Sequence, residues 1–290
     1  MYIALLILTT FIWGFGFVGT RWTFEIYDPY WSHAWRFIIA GLLVSPYVYM
    51  KRKEIHWKPA IVISIVLFLG LLFQTIGIKY TSLAKSGFLT AFYAIFTPLF
   101  LGVLYKRKFS LLYWALVILA MFGMVFLCEF KIENFNYGDF FILLSAVLFS
   151  VHIILIEKYA NDFNPLVLNG VQCLIMGLLG TLTAFYISGP SSPDYFLPGS
   201  TSFSQTVFLG FVVLSLFSSL IAFSIQILVQ KHIQAHIVGV IFLMEAIFAS
   251  LFGYLFFQEQ LGFLQIIGSI IICIALVALN SLVKEKKIIK

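Results

Sequence analysis

Polar residues divide the chain into ten blocks of predominantly apolar residues, joined by short polar connections. Each block is about 20 residues long, which is the length that a helix needs to cross roughly 30 Å of hydrocarbon. The blocks cover residues 3–20, 33–50, 60–79, 83–104, 110–128, 138–157, 166–187, 206–229, 237–257 and 264–283. The pattern therefore predicts an all-α membrane protein with ten transmembrane helices.

Composition excludes a soluble all-helical protein with a large core. Hydrophobic residues make up 62% of the 290 residues and charged residues only 10%, whereas an ordinary soluble domain has about 25% charged residues. The first block has no basic segment before it and no small-residue cleavage site, so we expect it to remain as the first span. The longest polar connection, GPSSPDYFLPGSTSFSQ, is predicted to be a loop, and no soluble domain is expected.

Basic residues are distributed unevenly between the two sets of connections. With the first residue inside, the outer connections carry Arg21, Lys79, Lys85 and Lys131. The cytoplasmic connections and the tail carry Lys51, Arg52, Lys53, Lys58, Lys106, Arg107, Lys108, Lys158, Lys231, Lys284, Lys286, Lys287 and Lys290. This bias predicts that both termini are cytoplasmic and that the protein lies in the cell inner (cytoplasmic) membrane. Since such loops face anionic lipids, the net charge of +6 does not require nucleic acid as a partner.

The second half of the chain repeats the first. The aligned stretches are 7–13 with 143–149 and 97–100 with 245–248, and the first register sets Arg36 opposite Gln172. The predicted units are a first repeat at 1–129, a second repeat at 137–284 and a basic cytoplasmic tail at 285–290. Because each repeat contains an odd number of spans, five, the two are expected to be inverted in the membrane. Inverted repeats are a recurrent transporter design, with the substrate near the midplane between the halves.

Two hairpins with very short hinges, at 74–98 and 222–246, occupy matching places in the halves. The run LLFQTIGIKYTSLAKSGFLTAFYAIFTPL resembles the third-to-fourth-helix hairpin of the ten-helix EamA-domain family of the drug/metabolite transporter superfamily. The stretches YGDFFILLSAVLFSVHIILIEKYA and LMEAIFASLFGYLFFQEQL are similar to the family's sixth and ninth helices, although Ala246 replaces the usual proline and Gln258 the usual glycine. The resemblance implies two EamA repeats, transport of small organic metabolites and no cofactor.

Glu245 and Arg36 are charged residues within apolar spans. Near the middle of a span, a charge costs at least about 2.5–3.5 kcal/mol, so Glu245 is expected to face a polar cavity. It is a candidate for binding a substrate amine or for proton coupling, and the alternative is a structural hydrogen bond between helices. Arg36 is a candidate clamp for a carboxylate or phosphate, and the alternative is that it reaches to the outer interface.

Neutral polar and aromatic residues complete the predicted substrate site. His152 could bind substrate or relay protons, although a histidine on an apolar helix is often a packing residue. Gln74 and Gln226 lie in the two hairpins and offer donors and acceptors, or hydrogen bonds between helices. Trp13 and Tyr93 could form aromatic walls of a cavity, or pack against other helices or lipid.

Small residues recur at three- or four-residue spacing in the fourth and ninth spans. They are Gly87, Ala91, Ala94, Ser250 and Gly253. Smooth faces of this kind allow helices to approach closely and to slide. We interpret the five residues as part of a gate, with static close packing as the alternative.

Motifs for catalysis or metal binding are missing from the sequence. It contains no P-loop, GxSxG, HExxH or EF-hand pattern. His232 and His236 have a spacing that suits a metal but no third ligand, and Cys128, Cys173 and Cys273 lack CxxC spacing. No catalytic residue, metal or cofactor is therefore predicted.

The sequence as a whole predicts a secondary-active transporter that works by alternating access around a central site. The resemblance favours amino acids or related compounds, with export over uptake, and S-adenosylmethionine is compatible with a buried acid. Expected partners are a small-molecule substrate, the lipid bilayer and either protons or a counter-substrate, and a homodimer is left open. The alternative is a membrane-embedded enzyme for a lipid or isoprenoid, with clustered acids such as Glu129, Glu133 and Asp139.

Overall fold

The computed structural model describes residues 1–127, 135–260 and 262–288, and the described ranges contain helices and no strand. The helices are α1 (Tyr2–Thr23), α2 (Pro29–Met50), α3 (Trp57–Ile78), α4 (Leu83–Thr90), α5 (Tyr93–Tyr105), α6 (Leu111–Leu127), α7 (Tyr137–Tyr159), α8 (Pro165–Ser188), α9 (Gln205–Phe211), α10 (Phe223–Gln230), α11 (Ala235–Ile241), α12 (Met244–Phe257) and α13 (Phe263–Ile288). Short 3₁₀ turns occupy Arg52–Glu54 and Ala160–Asp162, and a π-helix at Val212–Ala222 joins α9 to α10. Cys128, Glu129, Lys131 and Glu133 lie outside the described residues.

Ten helical spans can be counted within these ranges, in agreement with the apolar pattern. Seven are long and apolar enough to cross a membrane, namely Tyr2–Thr23, Trp57–Ile78, Lys85–Tyr105, Tyr137–Asp162, Pro165–Ser188, Gln205–Gln230 and Ala235–Phe257. Two further apolar helices, Leu111–Leu127 and Phe263–Leu279, are shorter, and α2 adds 22 residues. The molecule is therefore a multi-pass helical membrane protein.

Two helices begin with the same local chemistry at matching places in the halves. The side chain of Asp28 accepts hydrogen bonds from the first free N–H groups of α2, and that of Asn164 does so for α8. In both, a proline follows at the first helical position, Pro29 or Pro165. An Asp or Asn cap followed by proline satisfies helix donors and fixes φ for the first turn, which explains why the sequence starts a helix there.

The fourth and ninth spans are each interrupted near the middle. Residues 91 and 92 separate α4 from α5, and residues 242 and 243 separate α11 from α12. Backbone hydrogen bonds between residues three positions apart bridge both interruptions. They run from Ala94 N–H to the Ala91 carbonyl (2.9 Å) and from Ala246 N–H to the Leu243 carbonyl (3.3 Å). Both breaks are single turns wound more tightly than an α-helix. The break before Ala246 forms without the proline that is usual in the resembling family.

These interrupted spans cross each other at close range. A Cβ atom placed on Gly87 of α4 would lie 2.9 Å from Cα of Ala246 in α12, and one on Gly239 of α11 would lie 3.7 Å from Cα of Ala94 in α5. The helices α4 and α12, and α5 and α11, are in contact as a result. The crossing brings the two breaks to the centre of the bundle.

The core contains a small apolar cluster around Tyr27 and Phe211 and two large apolar clusters. One large cluster combines buried residues of α1, α4, α5, α6, α7, α11, α12 and α13, and the other combines those of α2, α3, α7, α8 and the π-helix with α10. Trp13 and Phe149 pack against both clusters. The boundary between the clusters is where polar side chains can gather.

The crossing at Gly87 generates a prediction about stability. Gly87→Ala forces a methyl group against the backbone of α12, so we expect it to lower the free energy of unfolding by about 1–3 kcal/mol. The measurement is thermal unfolding in detergent. Gly102→Ala in α5 is the matched control, because its nearest neighbour would be 3.6 Å away and alanine favours a helix by about 1 kcal/mol. Equal melting temperatures of the two variants would contradict the close crossing.

Candidate functional site

A central cavity lies at the boundary between the two large apolar clusters. All seven predicted substrate-binding residues line it, namely Trp13, Arg36, Gln74, Tyr93, His152, Gln226 and Glu245. The remaining wall is formed by Gly16, Phe17, Thr20, Leu71, Ile78, Thr90, Phe149, Ile153, Ser218, Phe223 and Phe242. Residues from spans one, two, three, four, six, eight and nine therefore meet in one place.

Glu245 reaches the cavity from the break in the ninth span. It is the second residue of α12, so its carboxylate lies at the positive end of that helix. The phenol of Tyr93, the first residue of α5, donates a hydrogen bond to its Oε2 (3.3 Å). Among the described residues no basic group lies within ion-pair distance of Glu245. Glu245 as a whole is 6% exposed and lines the cavity, where its carboxylate can meet a cationic ligand.

Arg36 enters the cavity from α2 and is 5% exposed. Its Nε donates to Oγ of Ser219 (2.7 Å) and its Nη2 to Oγ of Ser218 (2.8 Å). The alternative in which Arg36 reaches to the outer interface is therefore wrong. Within the described ranges no carboxylate forms an ion pair with this guanidinium. The two serines hold it in place without neutralising it.

The π-helix Val212–Ala222 positions those serines. The wider winding turns backbone carbonyls towards other helices, so that the Ser218 carbonyl accepts from Trp13 Nε1 (3.2 Å). Asn169 Nδ2 lies within hydrogen-bond distance of the carbonyls of Ser219 and Leu220 (2.9 Å each) and of Oγ of Ser224 (3.0 Å). Single π turns are frequent at functional sites. Neither the π winding nor the role of Asn169 was predicted from the sequence.

His152 is held by a residue that the sequence did not assign to the site. Nε2 of His152 lies 3.0 Å from the amide nitrogen of Gln172 in α8. The alignment of the two halves sets Gln172 opposite Arg36. That correspondence was the signal in the sequence that Gln172 could face the site. His152 is 1% exposed and lines the cavity.

The two hairpins each contribute one glutamine to the cavity wall. Gln74 Nε2 donates to Oγ1 of Thr90 in α4 (3.1 Å). Gln226 Nε2 donates to Oε1 of Gln230 (2.8 Å), and Gln230 in turn donates to the Ile153 carbonyl (2.8 Å). The carbonyl oxygen of Gln226 has no protein partner among the described residues. It therefore offers a neutral acceptor to a ligand.

The predicted gating residues lie beside the cavity. None of Gly87, Ala91, Ala94, Ser250 and Gly253 belongs to its wall, as far as the structure describes the chain. Gly87 lies against Ala246, and a Cβ on Gly253 would lie 2.5 Å from the Glu259 carboxylate. Gly87 thus lies at the crossing of the fourth and ninth spans, whereas Gly253 faces Glu259, which follows the end of the ninth span. The role of the five residues in gating stays a prediction.

The other histidine, cysteine and acidic side chains that the sequence singled out and the structure describes lie outside the cavity wall. The described residues include no group of three His, Cys, Asp or Glu side chains that could hold a metal. His232 stacks on Tyr2 (4.3 Å between ring centroids), and His236 contacts Phe109 (4.9 Å). The Asp139 carboxylate pairs with Lys85 (2.5 Å). Cys173 is buried and Cys273 exposed, and both are free thiols.

Ten helical spans around a central cavity define a multi-pass membrane protein with a candidate site for a small molecule. The chain matches the EamA-like transporter family over residues 1–128 and 136–281. It therefore belongs to that family, within the drug/metabolite transporter superfamily, and is a transporter.

Relatives across three lineages share most of its length. An uncharacterized transporter of Archaeoglobus fulgidus is 28% identical over 275 residues, covering 95% of this chain and 84% of the relative. The uncharacterized transporter YcxC of Bacillus subtilis is 25% identical and covers 97% and 93%. The WAT1-related protein At3g02690, chloroplastic, of Arabidopsis thaliana is 21% identical and covers 96% and 69%. A crystal structure at 18% identity superposes with a TM-score of 0.78 over 98% of both chains, which supports the fold.

The anchoring of the π-helix can be tested through Asn169. Asn169→Leu leaves two buried carbonyls and one hydroxyl without their shared donor, so we expect a loss of about 1–3 kcal/mol in the free energy of unfolding. Ser224→Ala removes one of the three contacts and is expected to cost less than half as much. Thermal unfolding in detergent compares the two variants. If Asn169→Leu melts with the wild type, Asn169 does not hold the π-helix.

Proposed function

We propose that this transporter moves zwitterionic metabolites, amino acids or compounds related to them, by secondary-active alternating access around the central cavity. The observation that carries the proposal is one carboxylate and one guanidinium in the same cavity, neither with an ion-pair partner among the described residues. A substrate amine would bind Glu245 and a substrate carboxylate would bind Arg36. Each buried charge then gains the partner that it lacks.

The walls of the cavity support a substrate of this class. Trp13 stands between Phe223 and Phe242, at 4.9 Å between ring centroids on either side. These rings provide an apolar surface for the substrate's side chain. S-adenosylmethionine, which combines an amino-acid group with a sulfonium, fits the same scheme.

Repeated landmarks support two inverted repeats, 1–129 and 137–284. The capped helix starts at Asp28 and Asn164 are related by the register that aligns 7–13 with 143–149. We call this the early register. It applies to the first helices of each half, where both the aligned sequence stretches and the capped starts occur.

Matching positions later in the two halves are separated by a slightly larger number of residues. We call this second alignment the late register. Tyr93 and Glu245, which share a hydrogen bond, define it. The left-handed residues that end α5 and α12, Lys106 and Gln258, are separated by the same interval. The late register differs from the alignment of 97–100 with 245–248 and sets Tyr93 opposite Glu245.

Reciprocal contacts support a two-fold relation between the halves. A Cβ on Gly41 would meet Cys173 and Leu174, and a Cβ on Gly177 would meet Phe37 and Ile38. In the early register Gly41 corresponds to Gly177, and the residues that Gly177 meets correspond to those that Gly41 meets. Each contact is therefore the counterpart of the other, with the two halves exchanged. A pseudo-two-fold axis produces such exchange, and with five spans in each half the axis would lie in the membrane plane.

Orientation and coupling follow from the charges of the loops and the site. The basic connections favour cytoplasmic termini in the inner membrane, and the family resemblance favours export. The sequence contains no nucleotide-binding P-loop, so we propose that protons or a counter-substrate drive transport. A homodimer would bury part of the exposed apolar surface.

Transport by purified protein tests the proposal. We expect proteoliposomes to accumulate one zwitterionic class from a mixed amino-acid pool, relative to protein-free vesicles, with detection by mass spectrometry. Glu245→Gln and Arg36→Gln should each reduce the initial rate at least tenfold, because each leaves one substrate charge unpaired in a buried site at a cost above about 1.4 kcal/mol. A proton gradient of either sign is applied to identify the coupling species.

Matched controls test whether the loss of transport depends on the position of the charge that is removed. Glu54→Gln and Arg52→Gln change the same residue types in the exposed 3₁₀ turn and should leave the rate unchanged. Size-exclusion profiles check that each variant folds. If wild type accumulates no zwitterion with either gradient or with counter-substrate inside, the proposed substrate class is wrong.

A further inference from the structure

An arginine–glutamate pair spans the outer ends of the first and ninth helical spans. Nη1 of Arg21 lies 3.5 Å from Oε1 of Glu259, which follows the end of α12. Both residues also hold the hinge between α3 and α4. Nη2 of Arg21 donates to the Thr81 carbonyl (2.7 Å), and Oε1 of Glu259 accepts from the backbone N–H of Leu83, the first residue of α4 (3.2 Å). The pair therefore fastens the α3–α4 hairpin.

A second pair holds the opposite end of the molecule in the same way. Nη1 of Arg107, which follows α5, lies 2.8 Å and 3.2 Å from the two carboxylate oxygens of Glu157 near the end of α7. The Glu157 carboxylate also accepts from the backbone N–H of Ala235, the first residue of α11 (3.3 Å). This pair fastens the hinge between α10 and α11.

The two pairs are related by the registers of the repeats, with their charges exchanged. The early register sets Arg21 opposite Glu157, and the late register sets Arg107 opposite Glu259. Each position that holds an arginine in one half therefore holds a glutamate in the other. The late register also relates the two capped residues at the starts of α4 and α11. In both pairs the carboxylate is the group that caps the helix after the hinge.

The capped helices connect these pairs to the cavity. The helix α4 runs from Leu83 to the break that presents Tyr93, and α11 runs from Ala235 to the break that presents Glu245. Both helices are only about two turns long, so a movement at the hinge is transmitted to the site with little loss. The ends of the bundle and the hydrogen-bonded pair inside the cavity are therefore mechanically linked.

We propose that Arg21–Glu259 and Arg107–Glu157 are the outer and inner gates of the transport cycle, one of which opens at a time. The proposal rests on the proposed alternating access between inverted repeats. Side-chain exposures between 17% and 39% leave the four residues in contact with water. Ion pairs in such surroundings bias an equilibrium by only about two- to fivefold. A weak ion pair is suited to a gate that must open in every transport cycle.

The opening of each gate can be measured by labelling a cavity residue from one side of the membrane. Two cavity residues that correspond in the early register serve as labelling positions. They are Phe17 in the outer half and Ile153 in the inner half, and both line the cavity. Phe17→Cys and Ile153→Cys are made separately in a background with Cys128, Cys173 and Cys273 replaced by alanine. The rate of reaction with a membrane-impermeant maleimide is then measured from the outer side for Phe17→Cys and from the inner side for Ile153→Cys.

Opposite changes are expected from the two gates. Adding Arg21→Gln should raise outer labelling of Phe17→Cys about two- to fivefold and lower inner labelling of Ile153→Cys, because the outward-open form gains population. Adding Arg107→Gln should do the reverse. Arg52→Gln, in the exposed turn, is the matched control and should change neither rate. Rates that stay constant, or rise together, with both gate variants would overturn the proposal.

A charge exchange gives a second measurement that does not depend on one substitution being tolerated. The single changes Arg21→Glu and Glu259→Arg should each increase outer labelling. The double change should restore the wild-type rate, since it recreates at the outer end the arrangement of the inner pair. A double variant that labels like the singles would overturn the outer gate. Labelling needs no substrate, so the gates can be tested even if the proposed substrate class is wrong.

Discussion

The cost of holding unneutralised charge inside a bundle surrounded by lipid governs the arrangement of the cavity. Hydrocarbon supplies no hydrogen bonds, so each polar group in the spans must find a partner inside the protein or face water. Arg36 meets this condition through two serine hydroxyls, which are presented by a helix wound too widely for an α-helix. Glu245 meets it through a helix N-terminus and one phenol. Both solutions are polar and neutral, so each charge remains free for a ligand.

The irregular backbone is concentrated where that condition applies. The π-helix and the two mid-span breaks adjoin the cavity, whereas α3, α6 and α8 run without interruption over their whole described length. Regular helices satisfy their own backbone groups and can face lipid on any side. Departures from regular winding are tolerated where other protein groups or a cavity meet the backbone. In this chain Trp13 and Asn169 supply those groups.

Much of the fold could be predicted from the sequence because the bilayer imposes a simple rule on span length. Ten apolar blocks indicated ten helical spans, and cost arguments about buried charge placed Glu245 in a polar cavity. Winding could not be predicted, because an apolar segment that forms a π-helix has the same composition as one that forms an α-helix. The hydrogen bond between Asn169 and Ser219 and the ion pair between Arg21 and Glu259 could not be predicted either. Such pairs are distant in sequence, and no local pattern records which polar residues meet across a bundle.

The exchange of charges between the two ends has an electrostatic consequence. An arginine and a glutamate stand together at each end, so neither gate carries a net charge. Opening a gate separates its partners at one surface and carries no net charge across the membrane. The membrane potential, worth about 2.3 kcal/mol per charge per 100 mV, therefore acts on the cavity and its contents. With Glu245 and Arg36 both ionised and a zwitterion between them, the loaded cavity is neutral as well. In the proposed cycle the loaded step is therefore insensitive to voltage, and an electrogenic step would come from the proposed coupling species.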